Sequence, residues 1–273
     1  MIHFTPHPAL FRLGSLEIRY YSLMYVLGFI LAYWLIPKIQ KRKSLNLSKD
    51  EILSIIFITF TFIIIFARVF FVFYYAFDTF KRDPLFLFEI WRGGMSFHGG
   101  LIGAIVAGII ISKRKRIPFF KLADVFIVPV PLALCFGRIG NLMNGELYGR
   151  ETNVPWAFYF PGVAGPRHPS QIYESIKNLV IFFILLYLLK SKNKKVSKLR
   201  EKNGFIFWSF IFLYGLFRFI IEFFREPEME SNIFGITITS GQFLCILMIL
   251  SSFIGFIHIF KKRKIERQKQ NKK

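Results

Sequence analysis

Seven mostly apolar stretches alternate with polar segments along the chain, at about residues 21–37, 52–77, 93–111, 122–136, 172–189, 204–224 and 242–260. A helix needs roughly 17–25 apolar residues to cross the hydrocarbon core of a bilayer, and all but the fourth stretch meet that length. The fourth carries Pro129 and Pro131 and reads as a broken or deeply tilted span. Residues 1–20, with Pro6 and Pro8, read as an interfacial lead-in. They lack the basic start, compact apolar core and small-residue cleavage site of a removable signal peptide. The pattern predicts an all-α integral membrane protein of seven transmembrane helices. It forms one polytopic domain over residues 1–273, with a polar segment at about 137–171 after the fourth span and a basic tail at 261–273.

Composition agrees: 54% of residues are hydrophobic, 19% are aromatic and 36 are phenylalanine, more apolar surface than a soluble domain hides. The net charge of +21 would suit nucleic acid, but its placement argues otherwise. The segments after spans one, three and five, together with the tail, hold 25 of the 37 Lys and Arg residues. With seven spans, all four lie on one side. Cytoplasmic loops carry the Lys/Arg excess, so the C-terminus is expected inside, and the N-terminus and the 137–171 segment outside. No nucleic-acid partner is expected. Cys135 and Cys245 fall in different apolar runs and read as small buried apolar residues. No Cys/His ligand spacing appears, so neither a metal nor a cofactor is expected.

One polar cluster stands out. Residues 137–150 place Arg138, Arg150, Asn141, Asn144 and Glu146 among four glycines. Such a group at the edge of a bilayer calls for a functional reason. Arginine grips phosphate through a planar fork of donors, and glycines let backbone approach a ligand closely. A polar loop that only packs against its neighbours is the plainer reading. On the proposed topology other polar groups converge at the same depth: Tyr20 and Tyr21 at the start of span one, His98 at the start of span three, and Tyr214, Arg218 and Glu222 on one face of span six. Taken alone, Tyr21 reads as an interfacial anchor, His98 as a structural histidine, and Arg218 with Glu222 as an i,i+4 ion pair. Arg68, in span two, reads as snorkelling to headgroups. The Gly99/Gly103 and Gly100/Ala104/Gly108 spacings read as close helix packing. The convergence, with arginine in excess of acid inside an apolar wall, suits an anionic phospholipid. His98, Glu146 or Tyr21 would then supply an acid or base.

The same residues carry a family resemblance. The string G-R-I-G-N-L-M-N-G-E-L-Y-G at 137–149 resembles the signature of bacterial prolipoprotein diacylglyceryl transferases, with Leu142 where the family usually has Phe. Blocks at 21–25, 94–100, 167–174 and 214–222 resemble family blocks in family order, and only the 151–165 segment is short beside some members. The resemblance implies seven membrane helices and a site toward the external or periplasmic side of the bacterial plasma membrane. It implies transfer of an sn-1,2-diacylglyceryl group from phosphatidylglycerol to the lipobox cysteine thiol of a preprolipoprotein. A thioether forms and glycerol 1-phosphate leaves, the first step of lipoprotein maturation. The nucleophile belongs to the substrate, so neither cysteine of this chain need react. Under this resemblance His98 is the candidate base, and Arg138 and Arg218 hold the donor phosphate. Asn141, Tyr21 and Glu146 orient the glycerol headgroup or Arg138, and Glu222 fixes Arg218. Gly149 and Tyr214 complete the expected phosphatidylglycerol site. Two other readings stay open: an anionic-lipid transporter, which needs polar groups in the inner half too, and a lipid-binding scaffold, which needs neither His98 nor Glu146.

Overall fold

The structure, a computed structural model, describes the backbone of residues 2–13, 16–227, 230–233 and 236–270, and side chains outside 12–16, 228–237 and 262–273. The last residues of the expected basic tail, 271–273, lie outside the described residues. Three short strands open the chain: β1 (Ile2–His3), β2 (Ala9–Leu13) and β3 (Leu16–Arg19). Then come α1 (Tyr20–Ile39), α2 (Lys49–Tyr75), α3 (Phe77–Arg82), α4 (Phe97–Lys115), α5 (Phe119–Phe126) and α6 (Val130–Asn144). The rest is β4 (Phe158–Tyr159), α7 (Ser170–Lys190), α8 (Lys194–Arg200), α9 (Phe205–Glu222), β5 (Glu230–Ile233), β6 (Ile236–Thr239) and α10 (Ser240–Gln270). Six helices are long and apolar enough to cross a membrane, and a seventh span results if α5 and α6, bent by 45°, count as one. The chain is an all-α membrane protein. The expected break in the fourth span falls at residues 127–129, where Pro129 precedes the first turn of α6 and Pro131 lies within it.

The chain divides into two compact units, residues 1–44 with 124–273, and residues 45–123. In the second unit α2 starts with a capping box, Ser48 accepting from the Glu51 amide while the Glu51 carboxylate accepts from the Ser48 amide. Helix α4 packs on α2 through small residues. A Cβ at Gly99 or Gly103 would run into the backbone carbonyl of Phe66 or Phe62, so the glycine spacing does serve close packing. Arg68 departs from expectation. It does not snorkel but is 3% exposed. Its guanidinium donates to the carbonyls of Leu87 (3.1 Å), Glu89 (3.1 Å), Gly93 (2.5 Å), Gly94 (3.1 Å) and Phe86. Those carbonyls lie in and between two 3-10 turns and in the glycine pair after them, where irregular backbone leaves acceptor capacity for a guanidinium.

In the first unit α1 packs on α6, α6 on α7, α7 on α9, and α9 on α10. The polar 137–144 stretch, expected at the start of an external segment, is instead the last two turns of α6. Gly137 and Gly140 do not break the helix, and Gly140 admits the Tyr21 ring and backbone where a Cβ would clash. The helix ends at Gly145, whose φ of 71° makes the left-handed cap. The 145–169 segment then crosses the end of this helix row. β4 pairs in parallel with β1, aligning Phe158 with Ile2 and Tyr159 with His3. Gly149 bridges Arg225, and Arg167 bridges both Glu151 and Phe158.

Candidate active site

Buried charge concentrates where α6, α7 and α9 meet. Glu174, on the second turn of α7, is 0% exposed. Its Oε1 accepts from Arg218 of α9. Its Oε2 lies 2.7 Å from Lys177 Nζ and 3.7 Å from Arg138 Nε of α6. Arg218 reaches in the other direction to Glu222 Oε2, 2.6 Å away, one turn along its own helix. Glu222 also accepts from the Thr239 hydroxyl at 3.1 Å and lies 3.7 Å from Arg225 Nε. Four cations thus share two carboxylates. Burial first, and then repulsion by Arg218, lower Arg225 from the ordinary guanidinium value. A group of this kind has an electrostatic place for an anion.

The expected partners of Arg138 are also present. Arg138 Nη1 donates to Asn141 Oδ1 at 3.3 Å, and Asn141 Nδ2 donates to Glu146 Oε1 at 2.7 Å. Asn144 Nδ2 donates to the same Glu146 oxygen at 3.1 Å. Leu147 takes a positive φ of 59°, an uncommon state for a branched residue. It is held there because Ser170 Oγ donates to its carbonyl and Gln171 Nε2 to that of Glu146. Tyr21 packs against Gly140, and its hydroxyl lies 2.9 Å from that of Tyr25. Tyr214 offers its ring face to Lys177 Nζ, 3.9 Å from the centroid. Gly149 serves backbone approach, since a Cβ there would strike the Phe224 carbonyl and His168. Arg150 donates from Nε to the Arg225 carbonyl at 3.0 Å and so ties the segment to the end of α9. His98 belongs to the second unit. It is exposed on the first turn of α4, beside the Phe70 and Phe97 rings.

The structure gives roles to Glu174 and Gln171, which the sequence placed only in the 167–174 block, and adds Lys177 and Arg225. The available signals were the i,i+3 spacings of Glu174 with Lys177 inside an apolar span and of Arg225 with Glu222. Two apolar grooves flank α7. One, of about 200 Å³, runs between α6 and α7 and reaches Arg138 and Gln171. The other, of about 330 Å³, runs between α7 and α9 and has Lys177 in its wall. Ile176 forms the ridge between them. On the buried face of α7 the polar run Gln171, Glu174, Ser175 and Asn178 gives way to Ile181, Phe182, Leu185 and Leu189. Asn178 is 0% exposed, and neither of its side-chain polar atoms has a partner among the described residues. Cys135 lies buried against Ser175 Oγ at 3.0 Å. Among the described residues no three His, Cys, Asp or Glu side chains group as they would to hold a metal ion.

Residues 8–258 match the model of the prolipoprotein diacylglyceryl transferase family. The chain is 43% identical over 248 residues to the phosphatidylglycerol–prolipoprotein diacylglyceryl transferase of Geobacter sulfurreducens, covering 90% of this chain and 93% of that one. It is 42% identical over 262 residues to the Aliivibrio salmonicida enzyme of the same name, covering 94% and 89%. It is 42% identical over 258 residues to the one from Vibrio cholerae, covering 93% and 92%. With most of its length matched by the family model, and the first part of its 137–149 signature, Arg138 included, built into the last turns of α6, the chain belongs to the prolipoprotein diacylglyceryl transferase family.

Proposed function

We propose that this transferase moves the sn-1,2-diacylglyceryl group of phosphatidylglycerol onto the lipobox cysteine of a preprolipoprotein. The cysteine thiolate attacks the glyceryl carbon that bears the phosphate. The carbon–sulfur bond forms as the carbon–oxygen bond breaks, its electron pair stays on oxygen, and glycerol 1-phosphate leaves. The thiol proton goes to a base. The observation that carries this reading is the surplus of fixed cations around Glu174, set beside apolar grooves on either side of α7. A phosphate with two long chains fits charge and apolar walls together, whereas a soluble anion needs no such walls. Arg138 and Arg218 hold the phosphate and stabilise the charge that grows on the leaving group. Asn141 and Glu146 orient Arg138, Tyr21 and Tyr214 line the headgroup site, Gly149 keeps the covering segment close, and Glu222 fixes Arg218. His98 is the base that generates the thiolate.

The chain acts as one domain of the bacterial plasma (inner) membrane, with the 145–169 segment outside and the tail inside, as the Lys/Arg placement indicates. The polar face of α7 ending at Asn178 favours chemistry at one side over a path across the membrane. The test is purified protein with phosphatidylglycerol and a lipobox peptide, run also with His98→Gln. Thioether product and released glycerol phosphate are expected in proportion. The His98→Gln protein should lose about 10²-fold or more of the rate, together with the pH-dependent limb of its profile. Lipid binding without thioether would sink the transferase reading. An unchanged rate and profile in His98→Gln would move the base elsewhere.

A further inference from the structure

Lys177 is a cation inside an apolar span, with its side chain 2% exposed. Such a group is costly unless paired, and its presence in a span marks a functional role. Its amine is fixed from two sides: Glu174 Oε2 at 2.7 Å on its own helix, and the Tyr214 ring of α9 at 3.9 Å. Glu174 Oε1 is already taken by Arg218. What Lys177 controls is therefore the direction of Oε2. That oxygen stands 3.7 Å from Arg138 Nε, too far for a hydrogen bond. Left to themselves, an arginine N–H and a carboxylate oxygen close to a charge-assisted hydrogen bond of about 2.7–2.9 Å. Here they do not close. Among the described residues Arg138 makes one side-chain hydrogen bond, to Asn141 at 3.3 Å.

We propose that Lys177 is a positioning residue that draws Glu174 along α7 and so keeps the Arg138 fork open for the donor phosphate. The inference rests on the reading that Arg138 holds that phosphate. Without Lys177, Oε2 is free to close on Arg138 Nε while Oε1 stays with Arg218, and it then competes with the lipid for the Arg138 donors. Lys177 need not touch the lipid for this effect; it acts through Glu174. Lys177→Met keeps the unbranched stem against Ile176, Val180 and Phe217 of the neighbouring groove and removes only the charge.

The test is equilibrium binding of phosphatidylglycerol to the full chain in nanodiscs of phosphatidylcholine, at one ionic strength. Lys177→Met should weaken binding by about tenfold, and Lys177→Arg should restore it to within about twofold. In an Arg138→Lys background, which lacks the fork, Lys177→Met should change affinity by less than about twofold, because the two act in series. In the transfer assay Lys177→Met should raise KM for phosphatidylglycerol and leave KM for the lipobox peptide unchanged. Should Lys177→Met fail to fold, Lys177→Gln carries the same test, since it is also uncharged. Wild-type affinity in the uncharged variant overturns the proposal. So does an equal loss with and without the Arg138 fork, or an equal rise in both KM values, which would mark a merely structural lysine. Wild-type affinity of Arg138→Lys alone would instead overturn the phosphate reading of Arg138 on which the proposal stands.

Discussion

Glu174 and Asp124 are both fully buried carboxylates in the same unit, and both join helices, yet their surroundings differ in balance. Asp124 meets Lys43 Nζ at 2.8 Å, with side chains 0% and 2% exposed. Lys43 donates further to the carbonyls of Arg200 at 2.6 Å and Lys202 at 3.1 Å. Asp124 accepts from the amides of Gly204 at 2.8 Å and Phe207 at 2.9 Å, where α9 begins. One cation meets one anion, the three hydrogens of the amine have three acceptors, and the carboxylate caps a helix N-terminus whose dipole favours it. The set is closed. Around Glu174 four cations meet two carboxylates, and the Arg138 fork is largely unspent. A closed set fastens structure. An open set with excess charge of one sign is stable only with bulk water or a ligand to complete it, which is what a binding site requires.

The comparison breaks first on stability. Asp124→Asn keeps the shape of the Lys43 contact but leaves a buried cation unpaired, which should cost about 3–5 kcal/mol, a large share of the roughly 5–15 kcal/mol that holds a typical protein together. Thermal unfolding in detergent should show a large drop. The fraction that remains folded should turn over at a near-normal rate, since nothing near Arg138 has changed. A normal melting temperature, or a rate loss exceeding the stability loss, would mean that the Asp124 set is not the simple fastener described.

The next largest effect belongs to the other cluster. Arg138→Lys keeps the charge and loses the fork, so it should leave the melting temperature almost unchanged and lower turnover by about 10²-fold or more. That corresponds to roughly 2.7 kcal/mol of transition-state stabilisation. The two variants should therefore separate cleanly, one in stability and the other in rate. Near-normal turnover of Arg138→Lys would show that only a point charge matters at this position.

The helical spans were legible as apolar runs, and the break in the fourth as its two prolines, because bilayer thickness and proline geometry act on composition directly. The tight α2–α4 contact was legible from Gly99 and Gly103. The helical state of residues 137–144 was not. Two glycines among polar residues look like a loop, and only the Tyr21 ring lying on Gly140 shows why glycine is used inside α6. Glu174 stood in the 167–174 block but without a role, and Lys177 was hidden because one charge barely lowers the hydropathy of a long apolar run. The role of Arg68 depends on carbonyls at 86–94, whose arrangement follows no periodic pattern. The Asp124 set joins residues far apart in the chain, and nothing local announces Lys43 as its partner rather than its basic neighbours Lys41 and Arg42.

The smallest effect is a difference in response to mild acid. The partners of Asp124 include no histidine, whereas the Glu174 end carries His168 just before α7. There Trp156 Nε1 donates to the Tyr173 hydroxyl oxygen at 2.7 Å, and that hydroxyl lies 3.0 Å from His168 Nδ1. The His168 ring thus sits against the Tyr173 hydroxyl and the Phe224 ring at the base of the 145–169 segment. Burial lowers the His168 pKa from its ordinary 6.5, so the folded state prefers the neutral ring. The contribution is present above the unfolded value and is lost as pH falls through the folded one. As pH falls below the ordinary histidine value the 145–169 segment should loosen slightly on α7, because protonation brings an uncompensated charge into the contact. Limited proteolysis of that segment reads it out. His168→Phe keeps the ring contacts with Phe224 and Tyr173 and cannot take up the proton, so its cleavage rate should be flat over the same range. An equal pH slope in wild type and His168→Phe would place the acid-sensitive contact elsewhere and leave the two ends of the bundle alike in this respect.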